Sequence, residues 1–171
     1  MRVEINDKKN FINMFNQLFT NNNINKINSI SIDSRIIERD DIYIPIKGTN
    51  YDGHDFIPSA LESGATVCFS EKKSKDKKII NSKSNIKIIQ MLAFEWKKRT
   101  KAKVIGVTGS NGKTTTKELL YKILSDSYKC SKNDGNYNSL IGLPLSFMNS
   151  RIDDDFCILE YGANQPNEID L

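Results

Sequence analysis

The order of apolar and polar positions in the first half of the chain predicts short strands and helices in alternation. A first helix is indicated by apolar residues at helical spacing, namely Phe11, Ile12, Phe15, Leu18 and Phe19. Strict alternation predicts strands at 30–32 and 42–46, and an apolar run predicts another at 65–69. Because Pro45 has no N–H to donate, we expect the second strand to lie at a sheet edge or to contain a bulge.

Two further helices are predicted before the middle of the chain. Asp55 is placed to cap the first, and Gly64 to end it. Its apolar positions are Phe56, Ile57, Ala60 and Leu61. The second has an apolar stripe of Ile88, Ile89, Leu92, Ala93 and Trp96. The polar segment 81–85 between them is typical of a linker, so we predict two domains, at residues 1–82 and 83–171.

The second predicted domain has the element order βαβαβ. An apolar run at 104–107 predicts a buried strand, and apolar residues at helical spacing continue from the following turn to about Ser125. A short strand is predicted at 128–131, and then a helix with Pro144 in its first turn or at a kink. The run 156–159 is apolar throughout, which is typical of a strand covered on both faces in a parallel sheet. Residues 165–171 predict the first turn of a further helix.

The turn after residue 107 has the chemistry of a phosphate-binding loop. Gly109 and Gly112 let successive backbone N–H groups point at one anion, and the helix that follows adds its positive end. Lys113 is placed to reach the β- and γ-phosphates of a nucleotide, and Thr114 to offer its hydroxyl to Mg²⁺. The predicted nucleotide-binding residues are Gly109, Ser110, Asn111, Gly112, Lys113, Thr114 and Thr115.

The loop departs from the generic pattern G-x-x-x-x-G-K-[ST] at one position. That pattern has its first glycine where this chain has Val107, and here glycines stand at 106 and 109 instead. An ordinary glycine-rich turn between a strand and a helix is therefore the alternative interpretation. The strand before the turn and the amphipathic helix after it favour the phosphate-binding interpretation.

Glu160 ends the strand predicted at 156–159. The carboxyl ends of neighbouring parallel strands meet at one edge of a sheet, so we expect Glu160 beside the phosphate-binding loop. Its carboxylate and the hydroxyl of Thr114 are hard oxygen ligands suited to Mg²⁺. The alternative is a solvated carboxylate at a strand end.

Composition narrows the class of protein. The formal net charge is +4, and the lysine-rich run at 72–78 contains no aromatic residue, so we interpret it as a solvated loop and expect no nucleic-acid partner. No apolar stretch approaches the roughly 18 residues that span a bilayer, and we expect a cytoplasmic protein without membrane insertion. Three cysteines, Cys68, Cys130 and Cys157, are predicted to be core or near-core thiols rather than metal ligands or disulfide partners.

Four segments together resemble the Mur ligases, and within that family the MurF type. They begin with Asp33-Ser34-Arg35 and the following 41–48, and continue at 50–56, at 108–115 and at 160–169. The resemblance implies an α/β fold, in which a small uridine-nucleotide domain precedes the start of a parallel-sheet ATPase domain with a P-loop. It also favours MurF over MurE, because Gly135-Asn136-Tyr137-Asn138 and the Glu-x-Gly-Ala-Asn segment at 160–164 fit the former.

The resemblance implies an ATP-dependent amide ligase of peptidoglycan precursor synthesis. Such an enzyme adds D-alanyl-D-alanine to UDP-MurNAc-tripeptide through an acyl phosphate and uses ATP and Mg²⁺. Lys113 and Glu160 would be catalytic, with Glu160 and Thr114 at the metal. The implied substrate-binding residues are Ser34, Thr49, Asn50, Tyr51, Asn136 and Asn138. We interpret His54, the only histidine, as a turn residue rather than a catalytic base.

The chain departs from the family at Ser139, where asparagine is usual, and at Gln165, where histidine is usual. The family also continues through more of the ATPase domain and a third domain that helps to bind ATP and the amine. We therefore expect the 171 residues alone to be an incomplete ligase. Two alternatives stay open at this point: a non-catalytic nucleotide-binding fragment, and another Mur-type ligase resembling MurE.

Overall fold

The computed structural model of this protein describes residues 1–135 and 137–162. The chain divides into two compact units, Met1–Leu92 and Ala93–Leu171. The division falls inside a helix, ten residues after the boundary expected at residue 82, which stays a prediction. The helical turn expected at 165–171 lies outside the described residues. None of the helices in the described part of the chain is long and apolar enough to cross a membrane.

The first unit is built on a five-stranded sheet whose strands follow chain order. The strands are β1 (Arg2–Glu4), β2 (Ser29–Ser31), β3 (Ile42–Tyr43), β4 (Val67–Ser70) and β5 (Ile79–Asn81). β1 pairs antiparallel with β2, and the other neighbours are parallel. The helices are α1 (Lys8–Leu18) and α2 (Ile57–Glu62), with 3₁₀ turns at Ser34–Ile36 and Gly53–Phe56, and α3 (Asn85–Arg99) begins in this unit and ends in the second.

Two expectations for this unit are wrong. The strand expected at 42–46, at an edge or with a bulge at Pro45, is neither: β3 lies between β2 and β4 and ends at Tyr43, so Pro45 is outside the strand. Residues 41–45 are all buried, so the alternation of isoleucine with tyrosine did not mark a solvent-facing side. Asp55 is not the cap before α2: the side chain of Asp52 accepts a hydrogen bond from the His54 N–H and caps the preceding 3₁₀ turn. The helix does end before Gly64, whose φ is +101°.

The segment predicted as a linker is part of the folded unit. Asn81 ends β5, a strand that the periodicity did not indicate, and Asn85 begins α3 with no exposed surface. The lysine-rich run before β5 is exposed for most of its length, as expected for a solvated loop. A strand of three residues, such as β5, is too short to show an alternating pattern in a polar segment of the sequence.

The second unit has the predicted βαβαβ order. It contains β6 (Lys103–Val107), α4 (Lys113–Ser125), β7 (Cys130–Lys132), α5 (Gly142–Phe147) and β8 (Phe156–Glu160). The three strands are parallel in the order β6-β8-β7, so β8 has a partner on each side and its last four residues are buried. Pro144 is in the first turn of α5. Cys68 and Cys157 are buried free thiols and Cys130 is partly buried.

Candidate functional site

The loop predicted to bind phosphate connects β6 to α4 in the second unit. Gly109 and Gly112 have φ values of +146° and +75°, a region that side chains other than glycine rarely adopt. A Cβ added to Gly112 would meet no atom within 4 Å, so the backbone conformation, not crowding, requires glycine there. Residues 109–112 are exposed. The Lys113 Nζ donates to the Gly109 carbonyl oxygen at 2.7 Å.

Glu160 lies beside the start of α4, as the sheet order predicted. Its residue pairs with Val107 across the parallel strands β6 and β8. The Thr114 hydroxyl donates to Oε2 of Glu160 at 2.8 Å, and the side-chain amide of Asn138 donates to Oε1 at 3.1 Å. The structure thus brings Thr114, Asn138 and Glu160 into one hydrogen-bonded group.

The carboxylate of Glu160 fits a role as a cation ligand. Glu160 is only 4% exposed, and no lysine, arginine or histidine among the described residues forms an ion pair with its carboxylate. A buried carboxylate is costly unless a cation or several donors compensate its charge. With the Thr114 hydroxyl it offers two hard oxygen atoms, which suit Mg²⁺ when phosphate and water oxygens complete the shell. No group of three or more acidic, histidine or cysteine residues among those described could hold a metal alone.

Two residues that sequence reasoning missed support this group. The Asn133 side chain accepts a hydrogen bond from the Glu160 N–H at 2.8 Å and donates to the Glu160 carbonyl oxygen at 3.3 Å. The Nζ of Lys117, a residue without exposed surface, donates to the Asn133 carbonyl oxygen at 2.8 Å. One signal was present: Lys117 falls on the same helical stripe as Leu120 and Leu124, where an apolar residue is expected.

Glycine is also needed where two chain segments approach closely. A Cβ on Gly162 would lie 2.7 Å from Cγ and Oδ1 of Asn138, and the Gly162 N–H donates to the Asn138 carbonyl oxygen. A Cβ on Gly106 would lie 3.2 Å from the ring of Tyr161. The absence of a side chain at 162 therefore leaves the space in which the Asn138 amide reaches Glu160. Asn136 lies outside the described residues.

The substrate-binding residues predicted in the first unit belong to two loops. Ser34 begins the 3₁₀ turn after β2, where the Asp33 carboxylate accepts from the backbone and side chain of Arg35. The side-chain hydrogen bond from Arg35 is the main reason that the pKa of Asp33 is lowered to about 2. In the part of the chain that the structure describes, no hydrogen bond joins Ser34 to residues 49–51.

The second loop connects β3 to the turn at 53–56. The Gly48 N–H donates to the Tyr51 carbonyl oxygen at 2.9 Å, and the Gly53 N–H donates to the Ile46 carbonyl oxygen at 3.2 Å. The side chains of the candidate residues Thr49, Asn50 and Tyr51 are exposed, and Tyr51 keeps 76% of its surface accessible. These side chains are free to contact a ligand but are not held by one another.

The His54 ring forms hydrogen bonds that hold the turn at 53–56. Its Nδ1 lies 2.5 Å from Oδ1 of Asp52, and its Nε2 accepts the Glu71 N–H at 3.1 Å. The residue is 7% exposed and lies in the 3₁₀ turn Gly53–Phe56. Both ring nitrogens are therefore engaged in holding the turn, which agrees with its interpretation as a turn residue.

A parallel α/β unit with a glycine-rich loop, a lysine and a hydroxyl at the start of a helix defines a nucleotide-phosphate-binding protein. Comparison with known families narrows this class. The profile described as "Mur ligase family, catalytic domain" matches residues 26–110, and the "Mur ligase middle domain" matches residues 107–171. The chain belongs to the Mur ligase family, and the resemblance drawn from its motifs is confirmed.

Individual relatives agree with this assignment. The UDP-N-acetylmuramoyl-tripeptide–D-alanyl-D-alanine ligase of Bacillus subtilis is 34% identical over 149 residues, which cover 85% of this chain and 33% of the relative. The enzyme of the same name from Borreliella burgdorferi is 39% identical over 165 residues, covering 87% and 36%. The chain thus spans about a third of the length of these relatives.

Solved structures show the same fold. The MurF ligase of Thermotoga maritima in complex with ADP superposes with a TM-score of 0.74 at 37% identity, covering 82% of this chain and 33% of that one. A MurF structure from Acinetobacter baumannii superposes with a TM-score of 0.82 at 29% identity, covering 93% and 36%. The predicted α/β fold is therefore confirmed.

Proposed function

We propose that this chain supplies the uridine-nucleotide-binding and ATP-phosphate-binding parts of a MurF-type ligase. The reaction joins D-alanyl-D-alanine to UDP-MurNAc-tripeptide at the expense of ATP, in the synthesis of peptidoglycan precursors in the cytoplasm. The observation that carries the proposal is the hydrogen-bonded group of Thr114, Asn138 and Glu160 beside the loop 109–112. The named activity of the relatives supports the choice of substrates.

The first chemical step transfers the γ-phosphoryl group of ATP to the terminal carboxylate of the tripeptide. The bond from the γ-phosphorus to the bridging oxygen breaks, a carboxylate oxygen forms the new bond to phosphorus, and ADP leaves. The protein assists this step by position and charge, because the reaction develops charge on phosphoryl oxygens. The N–H groups of residues 109–115 hold the phosphates, and the Lys113 ammonium exchanges its bond to the Gly109 carbonyl for phosphate oxygens.

The amine of D-alanyl-D-alanine then attacks the acyl phosphate, the new amide forms, and inorganic phosphate leaves. Thr114 and Glu160 would hold Mg²⁺, which would supply positive charge to offset the negative charge of the phosphoryl groups. Asn138 fixes the second carboxylate oxygen of Glu160 and so directs the first toward Thr114. Asn136 is proposed to contact the substrate or the nucleotide phosphates.

Substrate recognition is assigned to the first unit. Ser34 and the loop residues Thr49, Asn50 and Tyr51 contact the uridine nucleotide, with the exposed Tyr51 ring available to stack on the base. Residues 1–82 form the UDP-MurNAc-peptide-binding domain, and residues 83–171 belong to the ATP-binding domain. The partners are the UDP-sugar peptide and D-alanyl-D-alanine, without nucleic acid.

A coupled phosphate-release assay tests the proposal. The 171-residue chain and the product of the complete reading frame that contains it are each given UDP-MurNAc-tripeptide, D-alanyl-D-alanine and MgATP. We expect amine-dependent release from the complete product, abolished by Lys113→Ala and by Glu160→Gln, and none from the shorter chain. Orientation of the reactants can account for about 7–11 kcal/mol of such barriers, and this chain spans only about a third of the length of the relatives named as ligases.

Two results would contradict the ligase assignment. A folded complete product that binds MgATP without amine-dependent release would favour a non-catalytic nucleotide-binding protein. Release that requires UDP-MurNAc-dipeptide and a diamino acid instead of D-alanyl-D-alanine would identify a MurE-like ligase.

A further inference from the structure

Lys117 is an unusual residue in the second unit because a lysine is rarely buried completely. Lys117 is 0% exposed, whereas Lys122 of the same helix is exposed. Burial of an ammonium group is costly unless acceptors surround it. Lys117 contacts two: the Asn133 carbonyl oxygen at 2.8 Å and Oε1 of the neighbouring Glu118 at 3.3 Å.

The bond to Asn133 joins α4 to the loop that follows β7. Asn133 itself is fully buried and occupies a central place in that loop. Its side-chain oxygen accepts the Glu160 N–H, and its side-chain nitrogen donates to the carbonyl oxygens of Glu160 and Tyr137. The Asn133 side chain therefore hydrogen-bonds to both the N–H and the carbonyl oxygen of Glu160, while Lys117 donates to the carbonyl oxygen of Asn133.

The same helix also contacts the Glu160 side chain directly. Thr114 and Lys117 are three residues apart in α4, so their side chains lie on one face of the helix. Thr114 donates to the carboxylate, and Lys117 acts on the backbone through Asn133. Helix α4 thus determines both where the Glu160 backbone lies and where its carboxylate points.

We propose that Lys117 is a positioning residue that, through Asn133, fixes Glu160 for the magnesium ion of the nucleotide site. The metal role of Glu160 rests on the proposed function, whereas the link from Lys117 to Glu160 rests on the hydrogen bonds alone. Loss of the link leaves the phosphate-binding loop and Lys113 in place but lets the end of β8 move. Removal of such supporting partners typically weakens metal binding about 10- to 100-fold.

The test compares Lys117→Met, Lys117→Arg and the exposed control Lys122→Met in the 171-residue chain. ATP affinity is measured by calorimetry with Mg²⁺ and with EDTA. Mg²⁺ should raise the ATP affinity of the wild type, and we expect this increase to be about 10- to 100-fold smaller in Lys117→Met. ATP affinity in EDTA should be unchanged by the substitution. Lys117→Arg retains a donor for the Asn133 carbonyl and should restore part of the gain. Lys122→Met should behave as the wild type.

Hydrogen exchange at the Glu160 amide provides a readout that needs no metal. Because this N–H donates to Asn133, its exchange in Lys117→Met should be about two- to tenfold faster than in the wild type. Asn133→Ser covers the case in which Lys117→Met does not fold. It keeps the backbone carbonyl that Lys117 uses and removes the side-chain bonds to Glu160, so it should lose the Mg²⁺ gain as well.

The outcomes separate the two proposals. A folded Lys117→Met or Asn133→Ser protein with the full Mg²⁺ gain would overturn the positioning role, even if exchange at Glu160 were faster. Wild-type ATP binding that does not respond to Mg²⁺ would instead contradict the metal site in the proposed function. In that case unchanged exchange at the Glu160 amide would overturn the link from Lys117 also, and faster exchange would support it.

Discussion

The group around Glu160 and the loop 48–53 differ in how their candidate residues are held. In the first, the side chains of Thr114, Asn138 and Asn133 all bond to the same glutamate. In the second, backbone hydrogen bonds close the loop, and the side chains of 49–51 project into solvent. This difference implies that substitutions of Thr114, Asn138 or Asn133 alter the position of Glu160, whereas substitutions of the exposed side chains at 49–51 remove only a contact with the ligand.

The largest effect is expected at Lys113, whose ammonium is the only full positive charge among the predicted loop residues 109–115. Lys113→Ala should lower MgATP affinity about ten- to over a hundredfold, because charge-assisted hydrogen bonds contribute roughly 1.5–3 kcal/mol. Calorimetry on the purified chain measures this, with Lys122→Ala as the matched control in the same helix. Equal affinity of the wild type and Lys113→Ala would remove Lys113 from the phosphate site.

The loop 48–53 should be sensitive at its backbone rather than at its tip. A Cβ on Gly53 would lie 2.8 Å from the carbonyl oxygen and 2.9 Å from the nitrogen of Ile46, so the backbone must shift. We expect Gly53→Ala to lower the free energy of unfolding by about 1–3 kcal/mol. Denaturant unfolding followed by circular dichroism measures it.

Gly48→Ala is the matched control for that substitution. Its added Cβ would lie 3.4 Å from the Tyr51 carbonyl oxygen, an ordinary van der Waals distance, so the change should stay within about 0.5 kcal/mol. If Gly53→Ala were as mild as Gly48→Ala, the loop would be more adaptable than its backbone bonds suggest. The contrast with the Glu160 group would then be larger.

The shared glutamate predicts coupling between Thr114 and Asn138. Each of Thr114→Ala and Asn138→Ala removes one donor to the Glu160 carboxylate, and the double variant should lose less Mg²⁺-dependent ATP affinity than the sum of both. We expect an interaction free energy of about 0.5–3 kcal/mol from this double-mutant cycle. Thr49→Ala with Tyr51→Ala is the reference pair, and its effects on UDP-sugar affinity should add. If the losses of affinity from Thr114→Ala and Asn138→Ala were additive, the two residues would not act through the same carboxylate of Glu160.

Thr114 and Glu160 could be placed together from the sequence because their positions follow from consecutive elements with clear patterns. A strand, a glycine-rich turn and a helix place Thr114, and a second parallel strand brings Glu160 to the same edge. Lys117 and Asn133 could not be assigned in this way. A helical lysine is ordinarily solvated, and its burial depends on a loop 16 residues away that sequence periodicity does not describe.

The errors in the first unit have a similar cause. Asp52 and Asp55 both precede α2, but a 3₁₀ turn at Gly53–Phe56 comes before the helix, so Asp55 lies inside this turn and Asp52 caps it. Pro45 suggested an edge because the pattern does not reveal that β3 is covered on both faces and ends two residues earlier. β5 has three residues, too few to show a period. Tertiary packing decided each of these features.

The smallest expected effect is a dependence of the free energy of unfolding on pH, which arises at Asp52 in the loop 48–53 rather than in the group around Glu160. The backbone N–H of His54, then its ring and Lys72, donate to the Asp52 carboxylate and hold its pKa well below the ordinary value. A carboxylate whose pKa is lowered by folding stabilises the native state above its unfolded pKa, about 3.9, and loses that contribution as pH falls through the native pKa. Asp33, with its pKa of about 2, acts in the same direction.

We therefore expect the first unit to lose stability as pH falls from about 5 to about 2. Asp52→Asn should make this loss shallower while lowering the free energy of unfolding near pH 7, because the charged acceptor is gone at every pH. Glu62→Gln, which removes a charge from an exposed position of α2, is the control and should leave the slope unchanged. Hydrogen exchange of the His54 amide at several pH values follows the site directly, since that N–H donates to Asp52. If Asp52→Asn and Glu62→Gln gave the same slope, the turn at 53–56 would be held by its ring contacts and backbone bonds alone, without the charge of Asp52.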